Sequence, residues 1–201
     1  MRSFLEGLEI NQKVQSFFKK HLVQTCEDAV FKQYNYFEHV SHDFHRIPLT
    51  EATWQAGNPE LASDIVICGS AMDAIAWLHF NQHKFKTLDS IFFIATGAIP
   101  TNIFAAPLQK HTSKKIHLLY SNDPLGAICD IKTASFIRNT PVKILAEKEK
   151  FIVTFRAKTF VLEQLSLHVL EKAARFHFNI RTHKPKKHNT FYEQLKHRHP
   201  S

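Results

Sequence analysis

No apolar run in the chain approaches the roughly 20 residues that a helix takes to cross a bilayer, so no membrane-crossing helix is expected. Cysteine is scarce: Cys26, Cys68 and Cys129 lie far apart and form no CxxC pair, which argues against both a disulfide framework and a thiolate zinc site. Buried free thiols are the plain reading. There is no HExxH motif, no internal repeat and no low-complexity tract. The stretch MRSFLEGLEINQKVQSFFKKHL carries acidic residues where a signal peptide would have an unbroken apolar block. It reads as an amphipathic helix, and the protein is expected in the cytoplasm.

What the chain does have is apolar and aromatic mass. Of its 201 residues 44% are hydrophobic and 12% aromatic, with 18 Phe, too rich for disorder and enough for one domain of ordinary size with an attached segment. The formal charge of +8 is unevenly placed. Residues 1–142 carry 13 Lys/Arg against 13 Asp/Glu, and residues 143–201 carry 13 against 5, so the whole excess falls in the last part of the chain. His177, His183, His188, His197 and His199 add to it below neutral pH. A field concentrated in this way favours a polyanion, most often nucleic acid, over a merely solvated tail.

Three segments follow from the patterning. Residues 1–60 form an N-terminal helical segment, with Phe4, Leu5, Leu8, Ile10, Val14, Phe17, Phe18, Leu22 and Val23 recurring near a 3.6 period and the helical reading extended to residue 46. Residues 61–147 alternate between short apolar runs and amphipathic stretches. The strands are read at 64–69, 90–97, 115–120 and 142–145. The helices are read from a Ser70 cap through 71–80, around 102–111, and from about 124 to 137. That alternation implies βαβ units and an α/β fold with a mostly parallel central sheet flanked by helices. Residues 148–201 are a basic extension with a β-hairpin about Arg156, a helix near 164–176 and a tail broken at Lys184-Pro185.

Two stretches lie at strand ends, where open α/β sheets bind their ligands. They are Val66-Ile67-Cys68-Gly69-Ser70-Ala71-Met72-Asp73-Ala74 and Leu119-Tyr120-Ser121-Asn122-Asp123-Pro124-Leu125-Gly126. Together they resemble the Toprim domain of primases, topoisomerases and the primase-like proteins of plasmids and mobilizable transposons. In that family one strand ends in Glu-Gly followed by Asp-Ala, and a later strand ends in Asp-x-Asp followed by Gly. Gly69, Asp73, Ala74, Asp123 and Gly126 match. Pro185 to Leu195 resembles the closing motif of the mobile-element members. The resemblance implies a Rossmann-like Toprim fold, a cleft around Asp73 and Asp123, and three altered positions: Cys68 for the general acid-base Glu, Ser121 for the first metal-binding Asp, and Thr190 for a later acid. Loss of both an acid-base and part of a metal site is expected to abolish ordinary Toprim catalysis.

The expectation is therefore a catalytically degenerate, Toprim-like protein of DNA-processing type that uses no cofactor and binds nucleic acid through Arg175, Arg181, Lys184, Lys186, Lys187, Lys196 and Arg198. Phe191 and Tyr192 are read as stacking platforms for bases. Mg²⁺ enters only if the cleft retains activity. Alternatives stay open: a divergent metal-dependent phosphodiester enzyme using Asp73 and Asp123, or a module that binds a protein of a replication or mobilisation complex. At the residue level, Asp73 and Asp123 can equally serve as a helix cap and a turn former. Cys68 can be a packed thiol. His39, His42 and His45, or His79 and His83, offer transition-metal ligands only if others converge. Phe176 and Phe178 are read as docking the tail onto the domain.

Overall fold

A computed structural model describes residues 2–109 and 113–198. At its centre is a five-stranded sheet in the order β12-β8-β6-β7-β5. Its strands are β5 (Trp54–Ala56), β6 (Asp64–Cys68), β7 (Ile91–Ala95), β8 (Lys115–Leu119) and β12 (Arg181–Thr182). The first of these is antiparallel to β7, and the rest run parallel. Two smaller antiparallel sheets flank it: β1 (Val23–Gln24), β2 (Asp28–Gln33), β3 (Tyr36–Ser41) and β4 (His45–Arg46) make one; β9 (Val142–Glu147), β10 (Lys150–Phe155) and β11 (Lys158–Leu162) make the other.

The central strands are buried along their whole length because helices cover both faces. On one face pack α1 (Phe4–Gly7), α2 (Gln12–Phe18), α3 (Ala71–Asn81), α7 (Phe191–Lys196) and the inward residues of β2 and β3. The opposite face carries α4 (Ala105–Leu108), α5 (Pro124–Ile137), α6 (Leu167–Ala174) and the β9–β11 sheet. The protein is thus mixed α/β, a mixed sheet with parallel strands between helical layers. None of its described helices is long and apolar enough to cross a membrane.

Several elements stand where the patterning put them. The β6, β7 and β8 runs, the Ser70-capped α3 and the Pro124-initiated α5 do so, and Arg156-Ala157 turns the β10–β11 hairpin with both residues at positive φ (49° and 61°). Two readings are corrected. Beyond α2 and a short 3₁₀ turn at Lys19–His21 the N-terminal segment is not helical: residues 23–46 form the β1–β4 sheet. Inward positions of β2 and β3 include Gln33 and Glu38, polar residues that hide the alternation of Ala29, Phe31 and Val40. The fourth parallel strand is not residues 142–145, which pair with β10 instead. It is β12, only two residues long and too short to leave a periodic signature. The helix expected around 102–111 is α4, and residues 110 and 111 of that stretch lie outside the described residues, as does His199.

Candidate functional site at the strand exits

The middle strand β6 is flanked directly by β8, with Cys68 opposite Leu119, so their C-terminal exits open side by side. Residues 185–195 close over both. The Asn122 N–H donates to Asn189 O (2.7 Å), and Lys184 Nζ donates to Tyr120 O (3.0 Å) and Ser121 O (2.7 Å). Asp73 Oδ1 accepts from the Tyr192 N–H (2.8 Å). All three quoted stretches therefore meet in one region.

The carboxylates in that region have internal partners. Asp123 is the N-cap of α5: its Oδ1 accepts from the Gly126 N–H (2.7 Å) and from the Ser121 hydroxyl (2.9 Å). Gly126 is obligatory, because a Cβ there would stand 1.9 Å from Ser121 O. Asp73, in the first turn of α3, reaches across to the N-terminus of α7, where Thr190 caps the helix and forms a capping box with Glu193. Burial pushes the Asp73 carboxyl up to about 6, against the bond from Tyr192 and the pull of His45.

A third acid arrives unannounced from β3. Glu38 is wholly buried, and its carboxylate accepts from the Ala71 N–H (2.7 Å), the Met72 N–H (3.1 Å) and Ser70 Oγ (2.7 Å), with His45 Nε2 at 2.9 Å. It therefore fills the positive end of α3, where a phosphate or substrate carboxylate binds in many α/β proteins. Nothing local in the sequence marks it, since strand β3 and helix α3 are joined only by the fold.

Cys68 and Thr190 both have structural surroundings that account for them. Cys68 is fully buried and lies 3.5 Å from Ile94 O, and burial together with the Asp73 and Glu38 charges drives its thiol well above the usual range. A thiolate nucleophile is disfavoured there. Thr190 serves as a helix cap. Of the histidines, His39 pairs with Asp28 (2.8 Å) and His45 with Glu38, both on strands. His79 Nδ1 accepts from the Asn11 N–H (3.1 Å), with Arg198 at its Nε2 (2.8 Å). Among the described residues no group of three or more His, Cys, Asp or Glu could hold a metal ion.

The residues read as a nucleic-acid surface divide. Phe191 and Tyr192 are 7% and 4% exposed and pack against α3, so neither offers a face to a base. Packing of α7 on α3 turns them inward, a tertiary contact that composition could not show. Lys184 is not free either: its ammonium pairs with Asp130 (2.7 Å) besides the two carbonyls above. Lys196 donates to His42 O (2.9 Å). Arg175, Arg181, Lys186, Lys187 and Arg198 are exposed. Phe178 is buried and Phe176 half-buried in a cluster with Phe155, which docks the segment as expected.

Sequence reading missed two further groupings. At the N-terminal ends of β8 and β12 a cavity of about 530 Å³ is lined by Lys114, Lys115, Arg138 and Arg181, with Glu171 the one carboxylate among its lining residues. Beneath the same edge a polar chain runs from buried Asp64 Oδ1 to buried His117 Nε2 (2.9 Å) and from His117 Nδ1 to Nε2 of the half-buried His183 (2.9 Å). Burial would raise the Asp64 carboxyl, but bonds from Ser63 and His117 outweigh it and hold the group low. Burial lowers both histidines, His183 to about 4, so the chain is an aspartate with two neutral imidazoles at neutral pH. No family model, curated protein or solved structure matches this chain.

Proposed function

We propose that this is a Toprim-like, DNA-processing type of protein whose strand-exit acids serve structure rather than catalysis, and which binds nucleic acid through basic groups elsewhere on the surface. The observation that carries the reading is the fate of the acids: Glu38, Asp73 and Asp123 each accept from backbone N–H groups at a helix N-terminus. At the Asp123 turn the Ser121 hydroxyl supplies a hydrogen bond where a second carboxylate would need a cation to offset repulsion. The turn is self-sufficient without metal. Charge supports the binding half: the +8 excess lies beyond residue 142, and Arg181 from that part joins Lys114, Lys115 and Arg138 from the earlier, net-neutral part around one concave cavity.

The test is fluorescence anisotropy with single- and double-stranded DNA across a salt series. Neutralising several phosphates gives a steep log–log fall of affinity, with a slope of about 0.9 per phosphate on duplex. Lys114→Glu with Arg181→Glu should flatten that slope by about 1–2 and weaken binding at every sequence alike. A flat salt response, or no binding at low salt, ends the proposal.

A different observation favours a protein-interaction role for the N-terminal sheet. Tyr34, Phe37 and Phe44 are 75%, 50% and 48% exposed near the β2–β3 and β3–β4 turns. Tyr34→Ser with Phe37→Ser would abolish capture of a protein encoded beside this gene and leave DNA affinity unchanged.

A further inference from the structure

On the face of the sheet away from α3, a cavity of about 450 Å³ lies between α5, the β10–β11 hairpin and the start of α6. Asp130, on the second turn of α5, lines it and is 2% exposed. One of its oxygens, Oδ2, holds Lys184 Nζ at 2.7 Å. The other, Oδ1, is buried and has no hydrogen-bond donor among the described residues. Lys184 cannot serve both, because an ammonium has three protons and this one already faces Asp130 Oδ2, Tyr120 O and Ser121 O. A buried carboxylate oxygen left in this state is costly unless something donates to it.

The remaining lining narrows what that donor is. Asp123 and Glu163 add two carboxylates against the single Lys184 ammonium, an acidic hollow in a chain of net charge +8. Asp123 and Asp130 stand seven residues apart on one helix, a rise of roughly 10 Å, too far to close on one metal ion. Pro124, Phe151, Leu165 and Leu167 give the cavity apolar walls, which suit an aliphatic stem, and an aromatic ring beside a cation adds to its hold.

We propose that this cavity binds an aliphatic amine or guanidine, its cationic head donating to Asp130 Oδ1 and its stem lying against Phe151 and Leu165. The site is independent of the DNA-binding reading.

Isothermal titration of the full chain with agmatine tests it, with spermidine as a second cation and N-butylurea as a neutral analogue of similar shape. Saturable binding of agmatine is expected, weakened at least tenfold by Asp130→Asn and severalfold by Glu163→Gln at the exposed rim. Leu165→Trp, on the partly exposed turn before α6, fills the cavity and should abolish binding while leaving the circular dichroism spectrum unchanged. That variant keeps the proposal testable should Asp130→Asn fold poorly. Absence of saturable heat into the low millimolar range overturns it. So does agmatine binding that is unchanged in both Glu163→Gln and Leu165→Trp, or N-butylurea binding as tightly as agmatine.

Discussion

Glu38 concentrates the site's energetics in one side chain. Its two oxygens satisfy the Ala71 and Met72 N–H groups and the Ser70 hydroxyl, so truncation would orphan both N–H groups inside the protein and remove the hydroxyl's shortest bond. Glu38→Ala should cost about 3–5 kcal/mol, the usual result of removing one side of a buried charged network, read from urea unfolding. Asp73 should behave in the opposite way. Its folded carboxyl titrates near 6 instead of 3.8, so the native state holds a proton more tightly than the unfolded chain. Below 3.8 both states are protonated and the shift has no consequence; above about 6 the buried charge is a net cost. Asp73→Asn keeps an oxygen for the Tyr192 N–H, and it should raise stability at pH 8 by up to about 3 kcal/mol at 1.4 kcal/mol per pKa unit. The gain should fade as pH falls from 6 towards 4. A loss of stability at pH 8 would show that the charge itself is needed.

Helices and strands in this chain obey local signals where both faces are covered and escape them where one partner is distant. The β6, β7 and β8 runs are continuous and apolar, and Ser70 and Asp123 sit at helix starts as capping chemistry demands. Their positions could be read directly, and so could the meeting of the β6 and β8 exits. Neither β2 nor β3 could, because Gln33 and Glu38 occupy inward positions. The same Glu38 that blurred its strand is the residue that completes the α3 terminus, so one feature hid both the element and the site. The turn-forming role of Asp123 was legible locally, whereas the bond that Asp73 accepts from the Tyr192 N–H depends on α7 folding back, which no local window reports. At α5 the key contact is steric. Gly126→Ala would drive a methyl into Ser121 O, forcing the helix start away from the turn. A loss of at least about 2 kcal/mol is expected in denaturant titration, together with weaker packing of Asn122 on Asn189.

Across the whole molecule, protonation acts in opposing directions. His183, lowered to about 4 by burial and by His117, Lys84 and Arg181, is neutral when folded. The unfolded chain therefore binds more protons between pH 6.5 and 4, and stability falls as pH drops through that window. Asp73 and Asp130, both raised to about 6, push the other way over much of the same range. His183→Gln should remove the histidine contribution, about 1–2 kcal/mol once its partial exposure is discounted, and leave a variant that resists acid better than the parent between pH 6 and 4. Thermal midpoints measured at half-unit pH steps would show this as a change of slope.

Helix α7 supplies Phe191, Tyr192 and Leu195 to the same core that holds Phe4, Leu5 and Val14, and its Tyr192 N–H reaches a carboxylate 119 residues earlier. During synthesis that core is completed only when α7 leaves the ribosome, and until then the part of α3 that α7 packs on lacks that cover. Folding governed by so late an arrival is slow for a chain of this size, and the interval before α7 docks is when a chaperone would find the protein most receptive.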